Sequence, residues 1–414
     1  ILKETQAYVG SFFIYTGTLI IINFYKISTY LYTMHFKLNV IVSLILFSLI
    51  TSCKKESKAD DDLIILKEYV NIPNQVYNYR SPNIPAFYSN QFIGIQDNTP
   101  ADNPTSNWGA TLGRVLFYDP ILSRDLSTAC ASCHQQAIGF TDTAQFSTGI
   151  NGQTTLRHSM ALGNSMYYLN GRFFWDERAA TLEEQVLQPI QDPLEMGMTL
   201  SDLAERLQAT AYYPILFRKA FPDGEMNSEN IAKALAQFIR SMVSYGSKFD
   251  QGRALVNDVY QDFPNYTIQE NLGKSIFTSH NKVNCLSCHN TEALITDNPR
   301  NNGLYKLNPD IGISIHSNNP SDAGKFKAPS LKNVALRGRF MHDGSLKSLR
   351  EVIKHYDGNI KDNENLDPHL IDVFTTYPVV MNLSIQETDA LEAFLHTLTD
   401  EQFINSPKYS DPFY

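Results

Sequence analysis

Cysteine is scarce in this chain, which contains five cysteines among 414 residues. Four of them form two pairs with two residues between the members, Cys130 with Cys133 and Cys285 with Cys288. A histidine directly follows each pair, so both pairs belong to one repeated motif. Cys53 is left without a partner thiol. These numbers exclude a fold that depends on a framework of disulfides.

The chain also lacks an excess of positive charge and has few segments with the residue pattern of a β-strand. The net charge of −9 at pH 7 argues against nucleic acid as a partner. Segments with the alternating apolar and polar residues of a β-strand are rare, whereas apolar residues recur at helical spacing in several places. The chain is long enough for two hydrophobic cores. We therefore expect a mainly α-helical protein with two domains.

The repeated motif has the form Cys-x-x-Cys-His. Residues Cys130–His134 have the sequence CASCH, and residues Cys285–His289 have the sequence CLSCH. This pattern is the attachment site of a c-type haem. Two thiols at this spacing reach the vinyl groups on one edge of the porphyrin, and the histidine supplies the proximal nitrogen to iron. We expect two covalent haems, attached at Cys130, Cys133, Cys285 and Cys288, with His134 and His289 as iron ligands.

A zinc site built from four thiolates is the alternative. Cysteine pairs that share one zinc ion typically lie about 12–20 residues apart in the chain. The two pairs here are much farther apart, and a zinc site would leave both histidines without a role. The motif spacing therefore favours two haems.

The residues before each motif also repeat. Leu112–Phe117 has the sequence LGRVLF and Leu272–Phe277 has the sequence LGKSIF. Such repetition indicates one helical, cytochrome-c-like haem unit present twice in tandem. We predict an N-terminal haem domain at residues 101–250, a link at Gly246–Pro264 and a C-terminal haem domain at residues 265–400. Helices are predicted at Trp108–Tyr118, Thr181–Ile190, Leu200–Ala209, Asn227–Tyr245, Leu346–Tyr356 and Ile385–Leu398.

Residues 1–53 have the pattern of an export signal. A basic region begins at Met34, Val40–Ile50 is an apolar stretch, and small residues precede Cys53 as in a bacterial lipobox. A plain secretory signal with an incidental cysteine is the alternative. We expect lipidation at Cys53 and a location in the periplasm or cell envelope, with the lipid as the only membrane anchor.

Two flanking segments complete this region. Residues 1–33 begin without methionine, and we interpret them as an over-extended reading frame, although Ser11–Tyr25 has the composition of a weak membrane span. Residues 54–100 begin with a charged tether and continue as a stretch rich in Asn, Pro, Tyr and Ser. We predict that this stretch wraps irregularly over the first domain.

Three further segments resemble the bacterial di-haem cytochrome c peroxidase and MauG superfamily. They are Leu112–Ser123 (LGRVLFYDPILS), Phe173–Gln185 (FFWDERAATLEEQ) and Arg339–Leu346 (RFMHDGSL), and they occur in the family's order with a haem motif after each of the first two. The resemblance covers Asn107–Leu398. It implies a high-spin peroxidatic haem in the N-terminal domain and a six-coordinate electron-transfer haem in the C-terminal domain.

The resemblance also implies a peroxide pocket. The family has a glutamine, a proline four residues later and a glutamate six residues further on, which Gln185, Pro189 and Glu195 match. A carboxylate near the iron can shuttle a proton while the O–O bond breaks, so Glu195 is the expected acid–base residue. Gln185 would order the peroxide and Pro189 would limit access. Without the resemblance, Glu195 would be interpreted as a helix-start carboxylate.

The resemblance also implies roles for two aromatic residues, one between the haems and one as a ligand to the C-terminal iron. Trp175 matches the family's tryptophan between the haems, and a core indole is the alternative. Tyr356 occupies the position of the sixth ligand to the C-terminal haem, which is methionine in the peroxidases and tyrosine in the MauG-like branch. The adjacent His355 could also bind iron. Helical spacing places Tyr356 on the apolar face with Leu349 and Ile353, and His355 on the polar side; a core tyrosine remains the alternative.

The chain departs from the family at its interdomain calcium site. Arg157-His158 stands where the family has an arginine and a calcium-binding asparagine, and Arg337 and Arg339 replace a threonine and a proline. Imidazole is a poor ligand for a hard cation, so calcium is doubtful. Some relatives block the N-terminal iron with a loop histidine, but Gln135–Arg157 contains no His and no Met. We expect this iron to be open in the ferric protein.

Three functions are compatible with these features. The first is a peroxidase that reduces hydrogen peroxide with electrons from a small cytochrome c or cupredoxin. The second is a MauG-like oxidase that modifies a protein or organic substrate through a high-valent di-haem state. The third is a non-enzymatic electron carrier. Gln185, Pro189 and Glu195 argue against the carrier, because a carrier needs no acid beside its iron.

Overall fold

The computed structural model describes residues 61–80, 83–89, 91–279, 284–296 and 298–414. The predicted signal region, the lipidation site Cys53 and Ser11–Tyr25 lie outside the described residues. Residues 65–414 form one compact unit, which contains both haem motifs. No helix in the described ranges is long and apolar enough to cross a membrane.

Helices dominate the described chain from residue 107 onward. Nine of them have six or more residues there: α1 Asn107–Tyr118, α2 Leu182–Gln191, α3 Leu200–Gln208, α4 Tyr213–Ala220, α5 Ser228–Arg240, α6 Lys248–Arg253, α7 Ile268–Thr278, α8 Leu349–Lys354 and α9 Ile385–His396. Residues 61–69 are also helical, and shorter α-helical turns lie at Gln91–Gly94, Cys130–Cys133, Ser314–Ser317 and Glu401–Ile404. The described residues form isolated β-bridges but no strand, which confirms the mainly α-helical prediction.

Local sequence determines where most of these helices begin. Eight of the helices α1–α9 have an N-cap residue whose side chain accepts a hydrogen bond from a backbone N–H of the first turn. The exception is α4. The observed starts agree with the predicted ones to within three residues. The predicted helix Asn227–Tyr245 ends earlier, at Arg240, and α4, α6 and α7 have no counterpart among the predicted helices.

The internal repeat is visible as one helix crossing used twice. A β-carbon on Gly113 of α1 would lie 2.0 Å from the carbonyl oxygen of Ala234 in α5. A β-carbon on Gly273 of α7 would lie 1.9 Å from the carbonyl oxygen of Ala390 in α9. Only glycine allows the two backbones to approach so closely. Each haem motif follows the first helix of such a pair, as expected for tandem cytochrome-like units.

Two hydrophobic clusters surround these helix pairs. The first contains side chains of α1–α5, and the end of the chain returns to it through Phe403 and Tyr409. The second contains side chains of α6–α9. The predicted link contributes to the second cluster, because Phe249 and Phe263 are fully buried in it. The exact domain limits at residues 250 and 265 stay a prediction.

Candidate haem sites and the wall between them

The first motif forms a short helical turn, and residues of this motif line a cavity. The backbone N–H of His134 donates to the carbonyl oxygen of Cys130 over 3.0 Å and closes the turn. The imidazole Nδ1 donates to the carbonyl oxygen of Phe140 over 3.1 Å, which leaves Nε2 available to a metal. Burial lowers the pKa of His134, so the ring is neutral and can act as a ligand.

The second motif has the same arrangement. The backbone N–H of His289 donates to the carbonyl oxygen of Cys285 over 2.8 Å. Burial lowers the pKa of His289 to about 4, and the carbonyl oxygen of Leu294 lies near the ring and opposes part of this shift. Phe140 and Leu294, which present these carbonyls, both have left-handed backbones, with φ of 60° and 52°. The repeat therefore extends to the left-handed backbone beside each histidine, although Nδ1 of His289, unlike that of His134, has no hydrogen-bond partner in the described ranges.

The residues present fit a haem at each motif. Cys133 and His134 line one cavity, named here the N-terminal cavity, and Cys130 borders a smaller adjoining space. Cys285, Cys288 and His289 line another, the C-terminal cavity. None of these four cysteines is bridged. Each cavity thus combines two thiols with a neutral imidazole, which is the donor set of a c-type haem.

No zinc-type cluster appears in the same ranges. Among the residues that the structure describes, no group of three or more His, Cys, Asp or Glu side chains is placed to hold a metal ion. The four thiols lie in two different places and do not converge. Whether calcium binds stays a prediction.

The N-terminal cavity, which His134 lines, is also lined by Gln185, Pro189 and Glu195. Gln185 and Pro189 are four residues apart on α2 and therefore share one helix face. Glu195 lies on the turn after α2, where its N–H donates to the carbonyl oxygen of Asp192 over 3.0 Å. Burial, assisted by the nearby Asp192 carboxylate, raises the pKa of Glu195 to about 7.

Tyr356 lines the C-terminal cavity. α8 ends at Lys354, and the next five residues form a π-helical turn. The Tyr356 hydroxyl accepts a hydrogen bond of 3.4 Å from the side-chain amide of Asn302, and burial raises the pKa of Tyr356 to about 12. The prediction that His355 lies on a polar side is wrong. His355 is 5% exposed and its Nε2 contacts the carbonyl oxygen of Asn302 at 3.0 Å, so the segment that contains Asn302 packs against this side of the helix.

Comparison with known proteins shows the family to which the chain belongs. The family model described as di-haem cytochrome c peroxidase matches residues 108–255 and 268–403. The chain belongs to this family. The resemblance inferred from the sequence is thereby confirmed, and the protein is a di-haem oxidoreductase with haem cofactors.

Individual relatives of this di-haem family member include both functional branches. The methylamine utilization protein MauG of Methylophilus methylotrophus is 34% identical over 64% of this chain and 77% of its own length. The cytochrome c551 peroxidase of Nitrosomonas europaea is 32% identical over 71% of this chain and 80% of its own. The crystal structure of a MauG-like protein associated with microbial copper homeostasis covers 82% of this chain and 99% of its own, with 29% identity and a TM-score of 0.67.

A wall separates the two cavities of this di-haem protein, and seven residues line both of them: His158, Ser159, Met160, Ala161, Trp175, Lys327 and Pro329. The indole Nε1 of Trp175 donates to the carbonyl oxygen of His158 over 2.7 Å, and the carbonyl oxygen of Trp175 accepts from the backbone N–H of Lys327 over 2.8 Å. The indole is therefore fixed in position between the two candidate haem sites.

The sequence analysis missed the ion pairs that line the N-terminal cavity. Arg157 contacts Asp176 at 2.6 Å and Asp310 at 2.7 Å, and Asp176 also contacts Arg178 at 3.0 Å. His316 lies 3.3 Å from Asp176. The partners come from distant parts of the chain, so no local spacing could have indicated them.

A glycine that the sequence analysis did not single out supports the Glu195 turn. A β-carbon on Gly149 would lie 2.0 Å from the carbonyl oxygen of Leu194 and 2.7 Å from that of Glu195. The N–H of Ile150 donates to the same Glu195 oxygen over 2.9 Å. The segment after the first haem motif thus holds the carboxylate in place, and only glycine fits at this contact.

Proposed function

We propose that this protein is a di-haem peroxidase, which reduces hydrogen peroxide at its N-terminal haem with electrons from a small redox protein. The observation that carries the proposal is Glu195, a partly buried carboxyl with a pKa raised to about 7 in the same cavity as His134. An acid–base group works best when its pKa lies near the operating pH. An electron carrier would have no use for such a group.

Each haem would be held covalently by its own motif. Cys130 and Cys133 would attach the first haem and Cys285 and Cys288 the second, with His134 and His289 as iron ligands. When bound, the haem iron supplies the site at which peroxide binds and receives electrons. The protein supplies the rest of the chemistry through side chains whose positions are described above.

Glu195 would move the proton that peroxide chemistry requires. As a carboxylate it takes a proton from the inner peroxide oxygen, and as a carboxylic acid it returns that proton to the outer oxygen while the O–O bond breaks. Gln185, on the facing side of α2, would orient the peroxide by hydrogen bonding. Pro189 would restrict access, and Trp175 would carry electrons across the wall.

A MauG-like oxidase is the second candidate, and Tyr356 favours it. Of the two adjacent residues that could bind the C-terminal iron, Tyr356 lines the cavity, whereas His355 is hydrogen-bonded to Asn302. A phenolate oxygen favours the oxidised iron, whereas methionine raises the potential. A haem with tyrosine ligation stores an electron poorly, which suits oxidation of a protein or organic substrate.

The cellular setting is also proposed from the sequence. Export to the periplasm or cell envelope with lipid anchoring at Cys53 would place the protein where c-type haems are attached. The electron donor would then be a small cytochrome c or a cupredoxin. We expect no stable calcium site, because His158 replaces an oxygen ligand.

Steady-state turnover of hydrogen peroxide with a reduced cytochrome c tests the proposal. A peroxidase should consume two reduced cytochromes per peroxide. A stopped-flow spectrum of the fully ferric protein should change on addition of peroxide, without prior reduction, because no loop histidine is expected on the N-terminal iron. Rapid spectral change without turnover would favour the MauG-like function. An unchanged ferric spectrum and no turnover would contradict both.

A further inference from the structure

Arg337 is a cation without a counter-charge on the wall of the C-terminal cavity. Its Nη2 donates to the carbonyl oxygens of Ser330 and Lys332 over 2.7 and 3.3 Å. Its Nε is buried and has no hydrogen-bond partner in the described ranges. Burial lowers the pKa of Arg337 to about 10, and no carboxylate opposes this shift. A buried cation is costly unless an anion pairs with it.

Buried cations of the described residues are satisfied in two ways. Arg240 lies 2.5 Å from Glu183 and Lys332 lies 2.5 Å from Asp250. Lys274 and Lys327 instead donate to backbone carbonyl oxygens. Arg337 differs from all four because it lines the cavity and leaves its buried Nε without a hydrogen-bond partner in the described ranges. This unpartnered donor indicates that the group which binds Arg337 is not supplied by the described part of the chain.

The position of Arg337 limits what that anion can be. Its charge lowers the pKa of both His289 and His158, so it lies close to the expected iron ligand and to the wall between the cavities. The group expected beside His289 is the C-terminal haem, whose edge carries carboxylates. Arginine pairs with carboxylates through short, charge-assisted hydrogen bonds.

We propose that Arg337 binds a propionate carboxylate of the C-terminal haem from the wall between the two cavities. This inference rests on the proposed function, because it requires a haem at Cys285 and Cys288. The carboxylate completes the hydrogen bonding at Nε and provides the missing negative charge. The two carbonyl oxygens on Nη2 hold the guanidinium in place, so Arg337 acts as a positioning residue.

Arg337 thereby influences the reduction potential of the C-terminal haem. A fixed positive charge near the haem stabilises the reduced form, which carries one more electron. Its effect is opposite to that of a phenolate from Tyr356. The balance between these two residues sets how readily this haem gives up an electron.

The test compares Arg337→Met with the matched control Arg339→Met, since both arginines line the C-terminal cavity. Spectroelectrochemistry should give a lower C-terminal haem potential in Arg337→Met than in the wild type, and a smaller change in Arg339→Met. The resonance Raman propionate bending band should move in Arg337→Met. In Arg337→Lys, which keeps the charge, the band should move while the potential stays close to the wild-type value.

Several outcomes would overturn the inference. One is an unchanged potential and Raman band in haem-loaded Arg337→Met. Another is a wild-type potential that depends on chloride or phosphate concentration, which would assign the anion to solvent. If the variants fail to mature, a crystal structure of the wild-type holoprotein decides. A propionate oxygen within hydrogen-bonding distance of Nε supports the inference, and its absence overturns it.

The haem content of the wild type separates this inference from the proposed function. A pyridine haemochrome assay that finds no haem at the second motif would overturn both. Two haems with no contact between Arg337 and a propionate would overturn this inference alone.

Discussion

The two halves of this protein use the same scaffold for two different cavities. Gly113 and Gly273 permit the same close helix crossing, and His134 and His289 follow the same motif. The cavity beside His134 contains Glu195, whereas the cavity beside His289 contains a phenol and an arginine without a carboxylate partner in the described residues. Both halves keep the Cys-x-x-Cys-His motif, whereas the side chains that line the two cavities differ, and we propose that only the N-terminal half transfers protons.

The largest effect is expected from removing one haem at a time. Cys130→Ser with Cys133→Ser, and separately Cys285→Ser with Cys288→Ser, should each reduce the haem content from two to one. The first pair should abolish the reaction of the ferric protein with peroxide, because that reaction belongs to the N-terminal cavity. The second pair should keep a rapid first reaction but lose steady turnover.

Pyridine haemochrome assays and stopped-flow spectra check this prediction. Identical behaviour of the two double variants would mean that the halves are not specialised. Zinc bound to the wild-type protein in place of haem would contradict the attachment sites themselves.

The next largest effect is expected at Glu195. Glu195→Gln should keep peroxide binding but slow O–O cleavage by about 10²–10⁴-fold, the usual contribution of a general acid–base group. Glu205→Gln is a suitable control, because Glu205 is exposed on α3. Single-turnover kinetics measure both. A Glu195→Gln rate within about threefold of the wild type would assign the residue a structural role.

The pH dependence should follow from the same carboxyl. Burial raises the pKa of Glu195 to about 7, so the group is protonated below that pH and cannot take the peroxide proton. The rate of the ferric protein with peroxide should therefore rise with pH and level off above about 7. Glu195→Gln should remove this dependence, and a rate that falls over the same range would contradict it.

The Tyr356→Phe variant tests how the C-terminal cavity differs from the N-terminal one. Tyr356→Phe should change the ferric spectrum of the C-terminal haem and raise its potential, because an anionic oxygen ligand is lost. His355→Gln should change neither, since His355 is occupied by the carbonyl oxygen of Asn302. Redox titration with optical detection measures both variants. An unchanged spectrum in Tyr356→Phe would contradict the assignment of Tyr356 as an iron ligand and would favour an ordinary peroxidase.

The smallest effect is expected at the shared helix crossing. Gly113→Ala and Gly273→Ala should each lower the free energy of unfolding by about 1–3 kcal/mol, the usual cost of overpacking. The β-carbon would meet a backbone carbonyl in both cases, and a backbone moves less easily than a side chain. Gly94→Ala is the control, because nothing lies within 4 Å of its added β-carbon. Urea unfolding measures all three.

Three residues of the N-terminal cavity could be predicted because their short-range spacing matches that of the di-haem family, whereas without this resemblance Glu195 would be interpreted as a helix-start carboxylate. Gln185 and Pro189 lie one helical turn apart, and Glu195 follows on the next turn. The burial of His355 could not be predicted, because it depends on contact with Asn302, far away in the chain. The contact of Gly149 with the Glu195 turn was missed for the same reason.

The sequence by itself determined the two attachment motifs, their repetition and the starts of most helices. Each of these depends on residues within a few positions of one another, where covalent spacing and capping hydrogen bonds act. Only the tertiary structure decided that Arg157 pairs with Asp310 and that Arg337 lacks a carboxylate partner in the described residues. Burial and pairing of charges depend on segments that folding brings together from distant positions, so no local pattern could have encoded them.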